Sequence, residues 1–371
     1  MNIYPKLILE ALEKVRYPGT GKNIIEMGMV EDDMRIEGNK VSFSIIFEKP
    51  NDPFIKSLIK ASESAILTYA GEDIDIKGNI NVKAKQPPKP APVNLLPGVK
   101  NIIAIASGKG GVGKSTVSAN LAVALAKLGY KVGLLDADIF GPSIPKMFQE
   151  EEAKPQMEEI GGRELIVPVE RYGVKILSIG FFVNKKDALV WRGTMASNAL
   201  KQLITDANWG ELDYFLLDLP PGTSDIHLTL VQTLAVTGVV IVTTPQEVAL
   251  ADARKGISMF TGEKINVPVL GLIENMAWFT PAELPENKYY LFGKEGGKRL
   301  AEEIHIPLLG RIPIVQSICE GGDLGKPVAL NDTITGEAFR QLATKFVEQV
   351  DFRNENLSAT KKVEVRGNFE N

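Results

Sequence analysis

The feature that most constrains this chain is a glycine-rich stretch at residues 102–116, which reads Ile-Ile-Ala-Ile-Ala-Ser-Gly-Lys-Gly-Gly-Val-Gly-Lys-Ser-Thr. Its first part is a β-branched run suited to a buried parallel strand, and an alanine- and leucine-rich helical segment follows at residues 118–128. Four positions match the pattern G-x-x-x-x-G-K-S/T: Gly108, Gly113, Lys114 and Ser115. Strand, loop and helix therefore stand in the order of a phosphate-binding loop.

The residue types in this loop suit a phosphate ligand. Glycines let successive backbone N–H groups turn toward phosphate oxygens, and the helix that starts near Lys114 adds its positive end. We expect Lys114 to reach the outer phosphates and Ser115 to ligate Mg²⁺. The predicted nucleotide-binding residues are Gly108, Lys109, Gly110, Gly111, Val112, Gly113, Lys114, Ser115 and Thr116. The alternative is a glycine-rich strand-to-helix turn that binds nothing.

Two carboxylates follow the next predicted strand, at the sequence Lys-Val-Gly-Leu-Leu-Asp-Ala-Asp. Because side chains two apart on an extended chain point the same way, Asp136 and Asp138 are expected on one side, facing the phosphates. They are a candidate pair for Mg²⁺ and water. A solvated turn after a strand is the alternative.

A third carboxylate, Asp218, ends the apolar strand at residues 214–218, an arrangement that holds Mg²⁺ through water. The proline- and glycine-containing turn at residues 219–225 can sense a γ-phosphate through its N–H groups. His227 lies just inside the helix that follows and is interpreted as a capping or packing residue rather than a functional one.

Composition limits the classes of partner and compartment. A net charge of −4 over 371 residues argues against a nucleic-acid or anionic-membrane surface, so we expect neither partner. The amino terminus lacks a basic segment followed by a long apolar core, and no run of about 18 apolar residues occurs, which predicts a cytoplasmic protein. The single cysteine, Cys319, is expected to be buried and structural.

Apolar strands and helical segments alternate after residue 101, which predicts an α/β fold: a P-loop NTPase with a mostly parallel sheet covered by helices on both faces, preceded by a small α+β domain. Residues 150–180 are expected to hold a hairpin insertion, and residues 333–350 a core-facing helix. The predicted boundaries are a small domain at 1–84, a proline-rich linker at 85–100, the ATPase domain at 101–351 and a polar tail at 352–371. In the small domain we expect helices at 6–15 and 54–69 and strands at 24–30, 41–47 and 74–82.

A second lysine in the loop, Lys109 in Gly-Lys-Gly-Gly-Val-Gly-Lys, resembles the deviant Walker A motif of the MinD, ParA and nitrogenase iron-protein class. The resemblance implies that ATP closes a homodimer in which Lys109 reaches the partner subunit's nucleotide and acts in catalysis with Lys114. A surface lysine that only raises the local positive potential is the alternative.

Further segments extend the resemblance. Together with the loop, residues 136–145, 218–225 and 274–276 make the chain from about 98 to 350 resemble the Mrp/ApbC iron-sulfur cluster carriers. The resemblance implies ATP hydrolysis in which Asp138 orients the attacking water while Asp136 and Asp218 support the metal shell. It also implies that Asn275 hydrogen-bonds adenine, whose ring packs near Ile312-Pro313. Arg192 would contact a phosphate or a partner subunit, with an ordinary surface arginine as the alternative. The front domain resembles a small iron-sulfur assembly domain.

The chain departs from these carriers at one point. Members of the family transfer clusters to apoproteins and commonly hold them between subunits with a Cys-x-x-Cys from each, but residues 277–292, where that motif belongs, contain no cysteine. Cys319 gives a dimer only two thiols, so the cluster ligands are unknown. A metal-free ATP-gated dimeric switch that binds a protein partner is the alternative, and net charge disfavours a DNA positioner.

Overall fold

The computed structural model describes residues 3–49, 51–84, 95–182, 193–263, 265–281, 283–284 and 286–362, with the backbone alone at residues 193 and 194. The chain divides into two compact units between residues 91 and 92. Three sequence predictions lie outside the described residues: most of the linker at 85–94, Arg192, and the end of the tail at 363–371.

The small unit is a three-stranded sheet with two helices. Its elements are α1 (Pro5–Leu12), β1 (Arg35–Glu37), β2 (Lys40–Phe47), α2 (Ile55–Tyr69) and β3 (Ile80–Ala84). The central strand β2 pairs with β1 antiparallel and with β3 parallel. Its alternate residues from Val41 to Phe47 are buried in a core shared with both helices, as the alternating pattern predicts.

Two predicted strands of this unit are wrong in extent. Residues 24–30 form turns, because the Asn23 side chain accepts a hydrogen bond from the Glu26 backbone N–H at 2.7 Å and Gly28 has a φ of 61°. The strand expected from residue 74 begins only at Ile80, because Gly78 turns the chain with a φ of 78°. The first helix ends at Leu12 rather than at residue 15.

The large unit is built on an eight-stranded sheet in the order β13-β12-β11-β4-β10-β5-β9-β8, within the part of the chain that the structure describes. Its strands are β4 (Val99–Ala106), β5 (Val132–Asp136), β8 (Val169–Arg171), β9 (Val174–Ser178), β10 (Leu212–Asp218), β11 (Gly238–Thr243), β12 (Val269–Phe279) and β13 (Leu308–Ile314). Every pairing in it is parallel except β8 with β9.

The helices cover both faces of this sheet. They are α3 (Lys114–Lys127), α4 (Ile144–Met147), α5 (Gly193–Thr205), α6 (Asp225–Thr233), α7 (Glu247–Thr261), α8 (Gly296–Glu303), α9 (Gln316–Asp323) and α10 (Ile334–Asn356). From β4 the chain crosses to β5 in one direction, and from β11 to β12 and β13 in the other. Since such crossovers are right-handed, α3 lies on the opposite face from α7 and α8. The predicted fold class is confirmed.

The strand order reverses at β4, which positions the site. Ligands of open α/β sheets bind beyond the carboxyl ends of the strands at such a switch point. Strands β4, β5, β10 and β11 are buried along most of their length, as their continuous apolar runs predict. In the strand register Asp218 is paired with Asp136 on one side and with Ile105 on the other.

Two further predictions need correction. The expected hairpin forms, since β8 and β9 pair antiparallel, but it is an edge of the main sheet rather than an insertion because β9 also pairs in parallel with β5. A second antiparallel pair, β6 (Met157–Ile160) with β7 (Arg163–Ile166), precedes it. The last helix runs six residues beyond the predicted end at residue 350, to Asn356, because Arg353 is buried and donates to the Ser358 carbonyl and the Thr360 hydroxyl. No helix among the described residues has the length and apolar character needed to cross a membrane.

Candidate functional site

The loop between β4 and α3 has the backbone that its glycines were expected to provide. Gly111 and Gly113 adopt the left-handed region, with φ values of 80° and 79°. A Cβ at Gly108 would lie closer than 3.0 Å to the backbone of Asp252 in α7, and one at Gly113 would be equally close to the Asn275 amide. Gly108 is therefore required by close packing against α7, and Gly113 by its positive φ.

Lys114 and its neighbours form a buried polar cluster around Asp218. Lys114, whose side chain is 6% exposed, lies 2.7 Å from Asp218 Oδ1, and the Ser115 hydroxyl donates to Asp218 Oδ2 at 2.6 Å. Ser118, which the sequence analysis missed, donates to Oδ1 at 2.6 Å. Its position three residues after Ser115 on one helix was an available signal, because such residues share a face.

The carboxylates after β5 have different surroundings. Asp136 is fully buried and accepts hydrogen bonds from the backbone N–H groups of Ser143 and Ile144 and from the Ser178 hydroxyl. Burial and the neighbouring Asp218 carboxylate raise the pKa of Asp136. Asp136 therefore holds the loop after β5 in place, and its support of a metal shell stays a prediction.

Asp138, by contrast, is half-buried and lines the same cavity as the phosphate-binding loop. Burial raises its pKa, and the ammonium of Lys114 opposes that rise. Of the predicted pair after β5, Asp138 is the carboxylate that lines this cavity, and its role toward an attacking water stays a prediction.

The turn after β10 closes one side of this cavity. The Gly222 N–H donates to the Ser107 carbonyl at 2.9 Å, and Pro221 lines the cavity opposite the loop. At its end the Ser224 N–H donates to Nδ1 of His227, which is buried and caps α6. The interpretation of His227 as a capping and packing residue is confirmed.

Two adjoining cavities occupy the switch point. The smaller, of about 220 Å³, is lined by residues 109–116 with Ser107, Asp138, Ser143, Met147 and Pro221. The larger, of about 640 Å³, is mostly apolar and shares Gly113, Thr116, Ser143 and Met147 with the first. A polar glycine-lined space beside an apolar one matches the two halves of a nucleotide, the phosphates and the base.

The residues expected around adenine lie at the larger cavity. Asn275 lines it while its amide donates to the Val112 carbonyl at 2.8 Å, and Pro313 lines it from the end of β13. Ile312 is instead buried in the core. Cys319 was expected to be buried and is not: α9 presents it, exposed, on the wall of this cavity.

The segment without cysteines continues β12 outward. Phe279 and Tyr289 exchange backbone hydrogen bonds at 2.8 Å, and the Trp278 ring lies between Lys288 and Arg311. Within the described residues no group of three or more His, Cys, Asp or Glu side chains is placed to hold a metal ion.

Comparison with known families agrees with this geometry. A family model described as an NUBPL iron-transfer P-loop NTPase matches residues 98–347. The chain belongs to this NTPase family. A second model, for an iron-sulfur cluster assembly protein, matches residues 6–77 of the small unit. The resemblance expected from the sequence is thus confirmed for both units.

Individual NTPases of this family are similar along most of their length. The chain is 41% identical to the iron-sulfur cluster carrier protein of Synechocystis sp. and 42% identical to that of Aquifex aeolicus, each match covering 92% of this chain and 97% of the relative. Among solved structures, a nucleotide-binding protein from Archaeoglobus fulgidus in complex with ADP is 40% identical, with a TM-score of 0.55 over 64% of this chain and 90% of that one.

Proposed function

We propose that the protein is an ATP-binding and ATP-hydrolysing iron-sulfur cluster carrier that transfers clusters to apoproteins. The observation that carries the enzymatic part is the buried cluster of Lys114, Ser115 and Asp218 where a polar and an apolar cavity meet. Relatives named iron-sulfur cluster carrier proteins, matched along 92% of this chain, support the carrier part.

The phosphates would bind in the smaller cavity. The loop N–H groups, the positive end of α3 and the Lys114 ammonium would stabilise the charge that develops on the γ-phosphate. Lys114 is paired with Asp218, so a bound triphosphate would compete with that carboxylate for the ammonium. The apolar cavity would take the base, with Asn275 at its wall.

The oxygen atoms present at the loop suit Mg²⁺. The Ser115 hydroxyl lies 2.6 Å from a carboxylate oxygen of Asp218, and Mg²⁺ in such sites is held by few protein oxygens together with phosphates and water. Ser115 would ligate the ion directly, and Asp218 would hold its water shell. Bound Mg²⁺ would neutralise charge on the β- and γ-phosphates.

Asp138 would orient the attacking water. Its carboxylate lines the phosphate cavity, and it must be ionised to accept a hydrogen bond from water. The Lys114 ammonium favours that ionised form, which burial disfavours. The water would lose its proton toward this carboxylate as its oxygen attacks the γ-phosphate, while the bond between the γ-phosphorus and the bridging oxygen of the β-phosphate breaks and ADP leaves.

Lys109 would act across a homodimer. It lies half-buried at the rim of the phosphate cavity, and no described carboxylate forms an ion pair with it. An unpaired ammonium at this rim is available to a triphosphate held by a second subunit. The protein would work in the cytoplasm, where reduced thiols and apoprotein clients coexist.

The cluster itself is the cargo, and its ligands are not assigned. Each chain supplies one thiol, the exposed Cys319, so a dimer supplies two where clusters of this kind usually take four.

The test is anaerobic reconstitution of the full chain with iron and sulfide, alongside a Cys319→Ser control. Metal analysis, visible absorption and transfer to an apoprotein are then measured with Mg·ATP. A stoichiometric, transferable cluster supports carriage, and loss of that cluster in the control makes Cys319 a ligand. A colourless wild-type protein that hydrolyses ATP refutes carriage and leaves the metal-free switch.

A further inference from the structure

We infer that His227 is a positioning residue for ATP hydrolysis, holding the turn at residues 219–224 against the phosphate cavity through Ser224. The inference rests on the proposed ATPase function and adds to it a group that does not touch the nucleotide. The proposed effect depends on one atom of the imidazole ring, Nδ1.

The imidazole makes two hydrogen bonds, both to the residue that ends the turn. The Ser224 backbone N–H donates to Nδ1 at 3.1 Å, and the Ser224 hydroxyl lies 3.0 Å from the same atom. Because Nδ1 accepts the backbone hydrogen bond, it carries no proton, and the neutral ring has its proton on Nε2.

Three sets of contacts fix the position of the turn at residues 219–224, and His227 makes the third. Asp218 anchors its start through the lysine and two serines of α3, and Gly222 anchors its middle by donating to the Ser107 carbonyl. Pro221, which faces the cavity, lies between the first two of these anchors, and the anchor at Ser224 fixes the rest of the turn between Gly222 and α6. Without the last anchor the carboxyl-terminal half of the turn is held by α6 alone.

The packing of His227 connects this turn to the phosphate-binding loop. The ring is 1% exposed and lies 6.0 Å from the Phe260 ring of α7, centroid to centroid. That helix is also the one whose backbone at Asp252 packs directly against Gly108. A shift of the ring between α6 and α7 would therefore move the turn relative to the loop.

Packing alone does not explain the choice of histidine, because the ring also accepts from Ser224 and so caps α6. Nε2 is buried and has no hydrogen-bond partner among the described residues, and an unpartnered buried N–H is costly. Burial lowers the pKa of His227 to about 4, so the ring is neutral and forms no ion pair. Phenylalanine would fill the same space without the orphaned donor. What it would lack is the acceptor for Ser224.

Three substitutions separate the roles of the ring atoms. His227→Asn keeps an acceptor near the position of Nδ1, and His227→Gln keeps one because a glutamine three residues after an N-cap serine accepts from the serine N–H. His227→Phe keeps the ring without either nitrogen. Hydrolysis of Mg·ATP is measured as kcat and KM, together with the thermal midpoint. We expect His227→Asn and His227→Gln to retain kcat within about threefold, and His227→Phe to lose about tenfold to a hundredfold in kcat with KM nearly unchanged, as for a misplaced catalytic group.

Leu230→Ala is the matched control, because Leu230 lies on the same helix, is also 1% exposed and contributes nothing to the turn. It should lower the thermal midpoint without lowering kcat. The inference is overturned if His227→Phe keeps wild-type kcat, if Leu230→Ala lowers kcat as much, or if His227→Asn and His227→Gln both lose kcat as His227→Phe does. Should His227→Phe fail to fold, His227→Leu, which also lacks an acceptor, takes its place. A wild-type protein without ATPase activity instead refutes the proposed function, and the inference with it.

Discussion

Replacing Gly108 or Gly110 of the phosphate-binding loop by alanine should change the stability of the folded protein in opposite directions. At Gly108 an alanine Cβ would meet three backbone atoms of Asp252 and Ala253 in α7, all closer than 3.0 Å. At Gly110 the nearest atoms belong to the Pro221 ring at 3.9 Å, which is ordinary van der Waals contact. Neither glycine has a positive φ, so the two substitutions differ in available space rather than in backbone strain.

The size of the effect follows from these contacts. In Gly108→Ala the α7 backbone has to move by roughly 1 Å to reach normal separation, and forced repacking of this kind costs about 1–3 kcal/mol. In Gly110→Ala no atom has to move, and reduced freedom of the unfolded chain stabilises by about 0.4–1 kcal/mol. A chain of this size loses about 2–4 °C of thermal midpoint per kcal/mol. The Gly108 variant should therefore melt several degrees below the Gly110 variant.

The assay is urea and thermal unfolding without nucleotide, followed by tryptophan fluorescence. All 3 tryptophans lie after residue 95, so the fluorescence signal reports on unfolding of the large unit alone. Mg·ATP titration calorimetry completes the comparison, since a methyl group at Gly110 narrows the phosphate cavity and should weaken binding despite the retained stability. Equal stability of the two variants, within about 0.5 kcal/mol, would falsify the proposed packing of the loop on α7.

Three further outcomes are expected. Cys319 is the only thiol in the chain and lines the larger cavity, so Mg·ATP should protect it from alkylation, measured by mass spectrometry. Equal labelling with and without nucleotide would contradict binding of the base in that cavity. Between pH 6.5 and 4 the unfolded chain protonates His227 while burial and the Lys114 charge keep the folded ring neutral, with a pKa of about 4. The unfolded state then binds more protons than the folded state. Over this pH range the free energy of unfolding of the wild type, measured by urea titration, should fall by about 3 kcal/mol more than that of His227→Asn. Equal losses for the two proteins would refute the burial argument. Ser115→Ala should abolish the Mg²⁺ dependence of hydrolysis and lower kcat about a hundredfold while nucleotide still binds, and an unchanged metal titration would remove Ser115 from the site.

Much of the site was predictable because its residues are local in sequence. The glycine loop needs only a strand before it and a helix after it, and both can be predicted from hydrophobic periodicity and composition. Asp138 and Asp218 could be placed at the same edge of the sheet because the carboxyl ends of parallel strands meet there. Ser118 could have been added from its spacing to Ser115 on one helix face.

Other features depended on contacts between distant segments. The exposure of Cys319 is set by the face of α9 that turns toward the larger cavity, and a cysteine alone carries no signal of that orientation. The use of Asp136 to hold its own loop depends on Ser178, which reaches it from the neighbouring strand β9. The extension of α10 from residue 350 to Asn356 depends on the burial of Arg353.

The amino-acid sequence by itself determined that this chain folds around a phosphate-binding loop, since backbone curvature, helix start and phosphate-directed side chains are all encoded within fifteen consecutive residues. Only the tertiary structure decided which polar groups meet there. Asp218 is paired with Lys114 because the register of β10 against β4 brings the two side chains within reach. Their distance depends on contacts between segments more than a hundred residues apart, whereas the pair of Ser224 and His227 is a local helix cap that the sequence already indicated.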